Sequence, residues 1–196
     1  MFALAVAGAR RAEPRLMQPL TEAEGNELVH ALQPITSTPS SAPEWTLEES
    51  GKSDEARRKQ FVYLSKRPGF LLRRCVQVSL ALFADATAKL DLTPTQYGTL
   101  FLLKVVQTDD ATIARLAGVD RSTSDRVLQR LKARGHVQPD RLRDRIVLTL
   151  TPSGEALFEE ARPRAEAAEA QLLACLSPGE QARMVHALDK LLFVHG

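Results

Sequence analysis

The sequence predicts a mainly α-helical fold carrying one small β-hairpin. Three observations lead there. Apolar residues recur at helical spacing through most of the chain from residue 68 onward. Proline and capping residues punctuate the helix starts, at Pro68, Thr93-Pro94, Pro152 and Ser177-Pro178-Gly179-Glu180. A β-branched run, R-I-V-L-T-L-T at 145–151, has strand character instead.

The elements follow in order. Residues 2–8 are apolar and Arg10-Arg11 follow them, the reverse of the charge order of a signal peptide. Residues 1–16 are expected to hold little structure, as a leader or an overextended start. Residues 20–33 read as a short helix capped by Thr21, with Glu24 closing a capping box and Gly25 weakening it. The Pro/Ser/Thr-rich stretch 34–43 reads as a linker. The folded body is expected from Asp54. This gives a largely flexible extension, 1–53, with one possible short helix, and a domain at 54–196.

Within that domain a short helix is expected at 54–65, then a long one from Pro68 to about 91. The long helix carries Phe70, Leu71, Leu72, Cys75, Val76, Val78, Leu80, Leu82, Phe83 and Leu90. So wide an apolar arc must be covered on several sides, by a second subunit or by the rest of the chain. Thr93 and Pro94 open the next helix. Asp109 or Asp110 caps a short helix at 111–117, which Gly118 ends. A further helix covers 121–134 and Gly135 closes it. Residues 137–141 and 145–151 pair as a hairpin with a charged tip. Pro152 opens a long helix to about 174, and a last helix ends near 194.

Composition bounds the function. The 196 residues are 44% hydrophobic and 26% charged, with a net charge of only +2. That is globular composition with no overall call for an anionic partner. No stretch approaches a membrane span. Cys75 and Cys175 lack metal-ligand spacing, and the four histidines are scattered. No metal or cofactor is expected, and a reducing cytoplasm fits. Without a convergent catalytic set an enzyme is not expected.

Two short helices around a tight turn, followed by a hairpin, form a winged helix-turn-helix, at about 93–151. The turn is Ala117-Gly118-Val119-Asp120. On the second helix Val127, Leu128 and Leu131 face inward. Arg121, Ser122, Asp125, Arg126, Gln129 and Arg130 face outward. Ser122 and Thr123 lie in the first turn, where N–H groups favour phosphate. Arg126 and Gln129 have the reach to read base edges, and Arg126 has Asp125 or phosphate as other partners. From 120 to 145 there are eight basic and four acidic residues, a local +4. Positive charge therefore gathers where helix and hairpin would meet double-stranded DNA.

The ordered motifs LTPTQYGTLFLL (92–103), TIARLAGVDRSTSDRVLQRLKARGHV (112–137), LTLTPSGEALFEEARP (148–163) and LSPGEQARMVHALDKLL (176–192) resemble the MarR family of winged-helix transcription regulators. The resemblance runs from about Pro68 to the C-terminus. It implies a homodimer joined through helices at about 68–91 and 152–194. It also implies a recognition helix reading a pseudo-palindromic operator through 121–130, and repression released by a small ligand. The wing departs from the family pattern. Asp144 stands where an arginine is expected, with Arg141, Arg143 and Arg145 around it. Arg143, nearest the tip, is the first choice for a minor groove.

RPGFLLRRCVQVSLALF (67–83) followed by LTPTQY is similar to a branch that regulates aromatic-acid catabolism, responding to acids such as hydroxynicotinate or to aromatic acyl-CoA thioesters. Val76 stands where members of that branch often carry His. Arg73, Arg74, Gln77 and Tyr97 are the candidates for an aromatic carboxylate. Cys75, beside Arg73 and Arg74, is the candidate for an alternative, oxidant-sensing repressor, set against a buried cysteine of no redox role. A helical protein-interaction adaptor that binds no DNA is the alternative of another class.

Overall fold

The computed structural model describes residues 15–37, 63, 66–142 and 144–195. The expectations for 1–14, for the greater part of the linker, for the helix at 54–65 and for the position of Arg143 lie outside those residues. The chain divides into two compact units, one within 1–82 and 170–196, the other within 83–169.

The first unit is helical. α1 is Glu22–Thr36, capped by Thr21, whose hydroxyl accepts from the Glu24 N–H while the Glu24 carboxylate accepts from the Thr21 N–H at 2.8 Å. Its stripe of Leu28, Ala31, Leu32 and Ile35 falls at helical spacing and is buried. That stripe packs with Leu71 of α2 (Pro68–Ala86) and with Leu176, Met184, Ala187 and Leu191 in and just before α7 (Pro178–His195). Polar contacts fasten the same helices. Glu24 pairs with Lys190, and Glu27 lies 3.6 Å from Arg183.

Three expectations need correction here. The linker does not begin at Pro34, because 34–36 are the last residues of α1. Pro34 removes one backbone donor, but Ile35 continues the apolar stripe and is 2% exposed, so burial carries the helix past the proline. The folded body also begins before Asp54, since α1 is part of this core. Leu90 is not on the long helix either. The Thr87 hydroxyl donates to the Phe83 carbonyl at 2.7 Å and lies 3.3 Å from that of Leu92, and Asp91 turns left-handed at φ 46°. Leu90 therefore sits in the 3-10 turn Ala88–Leu90.

The second unit holds α3 (Pro94–Val105), α4 (Asp110–Leu116), α5 (Arg121–Ala133) and the antiparallel strands β1 (Val137–Leu142) and β2 (Arg145–Leu150). It also holds most of α6 (Pro152–Leu173). Thr93 caps α3 in a box with Gln96, and Asp109 rather than Asp110 caps α4. Leu100, Ile113, Leu128, Leu131 and Leu148 are nearly inaccessible, so α3, α4, α5 and β2 share one core. Burying each such side chain contributes roughly 1.5–3 kcal/mol. Tyr97 lies between Phe83 and Phe158, with ring centroids 5.5 and 5.6 Å away.

Candidate nucleic-acid interface

The turn between α4 and α5 is built on Gly118, at φ 63°, where a side chain would be strained. The Val119 N–H returns to the Ala114 carbonyl at 3.2 Å, and Val119 is half-buried in the angle. Asp120 caps α5. Its carboxylate accepts from the Thr123 N–H at 2.9 Å, from the Ser122 hydroxyl at 2.7 Å and from the Thr123 hydroxyl at 2.6 Å. These bonds hold the Asp120 carboxyl well below the usual carboxylate range. The phosphate role expected of Ser122 and Thr123 meets a competitor there, since an ionised carboxylate already accepts the hydrogen bond that each hydroxyl donates. Sequence reading missed this cap. The signal was an Asp directly before the first helical residue.

Leu128 and Leu131 face inward and are buried, and Val127 packs against the same core. Ser124 is buried on that face too, at helical spacing from Leu128. Arg121, Ser122, Arg126, Gln129 and Arg130 are exposed, and Thr123 and Asp125 are half-buried. Arg126 turns to the Thr123 hydroxyl at 3.3 Å rather than to Asp125.

The local positive charge is not all available to a ligand. Lys132 lies 3.5 Å from Asp110, and Arg134 binds both the carbonyl of Asp91 and its carboxylate, at 2.8 and 3.1 Å. Both tie α5 to its neighbours. Arg121, Arg130 and Arg141 are exposed and have no ion-pair partner among the described residues, while Arg145 is near enough to Asp109 to help lower its carboxyl.

The hairpin aligns Val137 with Leu150 and Leu142 with Arg145. Its base is fastened to α6. The Thr151 hydroxyl donates to the Gly135 carbonyl at 2.6 Å and accepts from the Gly154 N–H at 3.1 Å, and the Thr151 N–H donates to the His136 carbonyl at 3.0 Å. On the other side, the Leu148 N–H donates to the Thr108 carbonyl at 2.9 Å. Hydrogen bonds at Gly135, His136 and Thr151 thus join the end of α5, the base of the hairpin and the start of α6.

No family model matches the chain. Among curated proteins, the HTH-type transcriptional repressor NicR of Pseudomonas putida is 30% identical over 133 residues, which are 66% of this chain and 84% of the relative. Among solved structures, Bordetella bronchiseptica BpsR, whose DNA binding is regulated by 6-hydroxynicotinic acid, is 32% identical with a TM-score of 0.58. The match covers 63% of this chain and 92% of BpsR. The Mycobacterium tuberculosis MarR family protein Rv2887 in complex with DNA is 31% identical with a TM-score of 0.52, over 63% of this chain and 95% of its own. The chain belongs to the MarR family of transcription regulators. α1 lies outside the stretch that carries the family resemblance, which runs from about Pro68 to the C-terminus.

The remaining candidates of this MarR family chain are spread over both units. Arg73 and Gln77 are exposed on α2, one turn apart, and the Arg74 guanidinium donates to the Gln77 side-chain carbonyl at 3.3 Å. Tyr97 belongs to the second unit, where it stacks on Phe158, and desolvation raises its phenol pKa. Cys75 is half-buried with its thiol 3.7 Å from the Leu32 carbonyl of α1, and burial pushes it up to about 11. The neighbouring arginines do not activate it. Cys175 is exposed. Among the described residues no group of His, Cys, Asp or Glu is placed to hold a metal ion, and no helix is long and apolar enough to cross a membrane.

Proposed function

We propose that this protein is a dimeric, sequence-specific DNA-binding transcriptional repressor that a small aromatic acid, or its CoA thioester, releases from its operator. The observation that carries the reading is the exposed set Arg121, Arg126, Gln129 and Arg130 on the helix behind the Gly118 turn, beside a wing carrying Arg141 and Arg145. Arginine and glutamine are the side chains that read major-groove edges, and unpaired arginines neutralise phosphates. In a dimer two such helices address the two half-sites of a pseudo-palindrome. Ser122 and Thr123 serve this surface through the Asp120 cap.

The ligand class rests on similarity to BpsR, whose DNA binding is regulated by 6-hydroxynicotinic acid. Arg73 and Arg74, with Gln77, are the residues of α2 suited to an aromatic carboxylate. A ligand that binds the non-operator conformation better shifts the population away from DNA. The oxidant-sensing alternative is disfavoured by Cys75, whose thiol is half-buried and held protonated.

The test is a thermal-shift screen with 6-hydroxynicotinic acid, benzoate and aromatic acyl-CoA thioesters, followed by release of bound duplex. A stabilising acid that also releases DNA supports the reading. Peroxide-driven release that depends on Cys75, with no effect of any acid, replaces it with the redox reading. A full chain that binds no duplex at low salt leaves the adaptor reading.

A further inference from the structure

A cleft of about 510 Å³ runs along α1 to the start of α2, wholly within the first unit. Its floor is apolar: Met17, Leu20, Val29 and Pro68, all half-buried. The first three pack against the core that α1 shares with α2 and α7, so the floor is backed by buried side chains. Gly25 belongs to the same wall. A Cβ there would stand 3.4 Å from the Met17 Cε, so the glycine lets Met17 lie against the helix. At the rim, Glu22, Asn26 and Lys66 are exposed, and none has a hydrogen-bond or ion-pair partner among the described residues. Thr21 differs, because the Glu24 carboxylate accepts from both its N–H and its hydroxyl. All of these residues except Pro68 precede the stretch that resembles the family.

We propose that this cleft binds a zwitterion with an apolar side chain, that is, a hydrophobic α-amino acid. The Lys66 ammonium takes the ligand carboxylate and the Glu22 carboxylate takes its ammonium. The Asn26 amide, both donor and acceptor, serves either group. The ligand side chain lies on Met17, Leu20, Val29 and Pro68, where the thioether adapts to branched or aromatic shapes. The charge pattern selects this class. A simple carboxylate would face Glu22, a simple amine would face Lys66, and a polar zwitterion would forgo the apolar floor. An apolar surface with a few polar groups that fix orientation is the usual makeup of a small-molecule site, and the volume falls within the roughly 300–1,000 Å³ of such sites. A ligand held by both Glu22 and Lys66 ties α1 to the residues that lead into α2. The site is separate from Arg73, Arg74 and Gln77 and does not depend on the DNA-binding reading.

The experiment uses the full chain, with binding followed by calorimetry and by thermal shift. The probes are L-leucine, L-methionine and L-phenylalanine. Isocaproate and isoamylamine supply the leucine skeleton without the ammonium or without the carboxylate, and L-serine supplies a zwitterion without the apolar side chain. The three apolar amino acids are expected to bind and to raise the melting temperature. Isocaproate, isoamylamine and serine are expected to bind about tenfold more weakly or worse. Lys66→Gln and Glu22→Gln are each expected to weaken leucine about five- to tenfold. Lys66→Gln should also lose the preference for leucine over isoamylamine, and Glu22→Gln the preference over isocaproate. Gly25→Leu, which fills the cleft and favours the helix, is expected to melt no lower than wild type and to lose leucine binding. No response to any of the three amino acids overturns the proposal. So does leucine binding that Lys66→Gln, Glu22→Gln and Gly25→Leu leave unchanged, or a wild type that binds isocaproate or isoamylamine as tightly as leucine.

Discussion

Gly154 of α6 lies directly against the backbone of His136. A Cβ at this position would stand 2.0 Å from the His136 carbonyl oxygen and 2.9 Å from its carbonyl carbon. The helix reaches the base of the wing this closely only because residue 154 has no side chain. The oxygen it approaches also accepts the Thr151 N–H.

Gly154→Ala is therefore expected to push α6 off the hairpin, since backbone, not a flexible side chain, blocks the methyl. Overpacking of this kind costs about 1–3 kcal/mol, and a rigid backbone obstacle puts it toward the upper end. Urea unfolding would measure it. A midpoint equal to wild type would mean that the approach relaxes freely.

Leu32→Ala tests whether α1 is part of the fold. Leu32 is 2% exposed in the core shared with Leu71, Met184 and Leu191. The expected loss is about 2–5 kcal/mol. A variant that unfolds like wild type would mean that α1 is not docked in solution.

Acid should unfold the protein through carboxylates it holds ionised. Hydrogen bonds from Lys190 and Thr21 lower the Glu24 carboxyl to about 2, and those of Asp109, Asp120 and Glu180 are lowered by their cap bonds. A folded pKa below the unfolded value gives stability that is present above the unfolded pKa, near 4, and lost as pH falls toward the folded one. Stability is expected to hold down to about pH 5 and to fall between about 4 and 2. Glu24→Gln should lower stability at neutral pH and flatten that slope. An unchanged slope would show that the Lys190 pairing does not persist.

The two thiols should differ in reactivity. Cys175 is exposed, while Cys75 is half-buried with its pKa pushed up to about 11. Timed alkylation of the native chain, read by mass spectrometry, should label Cys175 first and Cys75 slowly at neutral pH. Faster labelling at Cys75 would restore the oxidant-sensing reading.

Local chemistry made most of the fold legible in the sequence. Thr93-Pro94, Asp109, Gly118 and Gly135 act within one turn of themselves, so their residue types announce the helix ends. The elements that escaped depend on distant residues. Ile35 carries α1 past Pro34 because its burial outweighs the proline, and linker composition hides that. Gly154 looks like a minor helix residue until His136, remote in the chain, is placed beside it. The outward face of α5 was readable from periodicity. The spending of Arg134 on Asp91 and of Lys132 on Asp110 was not, because both acids lie on other elements.

On the proposed reading, the α5 surface and the wing bind duplex DNA. The most direct measurement is the affinity of the full chain for a duplex selected from a random pool, over a salt series, beside Arg121→Gln and Arg130→Gln. Affinity is expected to fall steeply, its logarithm linearly with log salt, with the slope reduced by about one for each arginine that contacts phosphate. Binding that ignores salt, or both variants binding with wild-type affinity and slope, would contradict it.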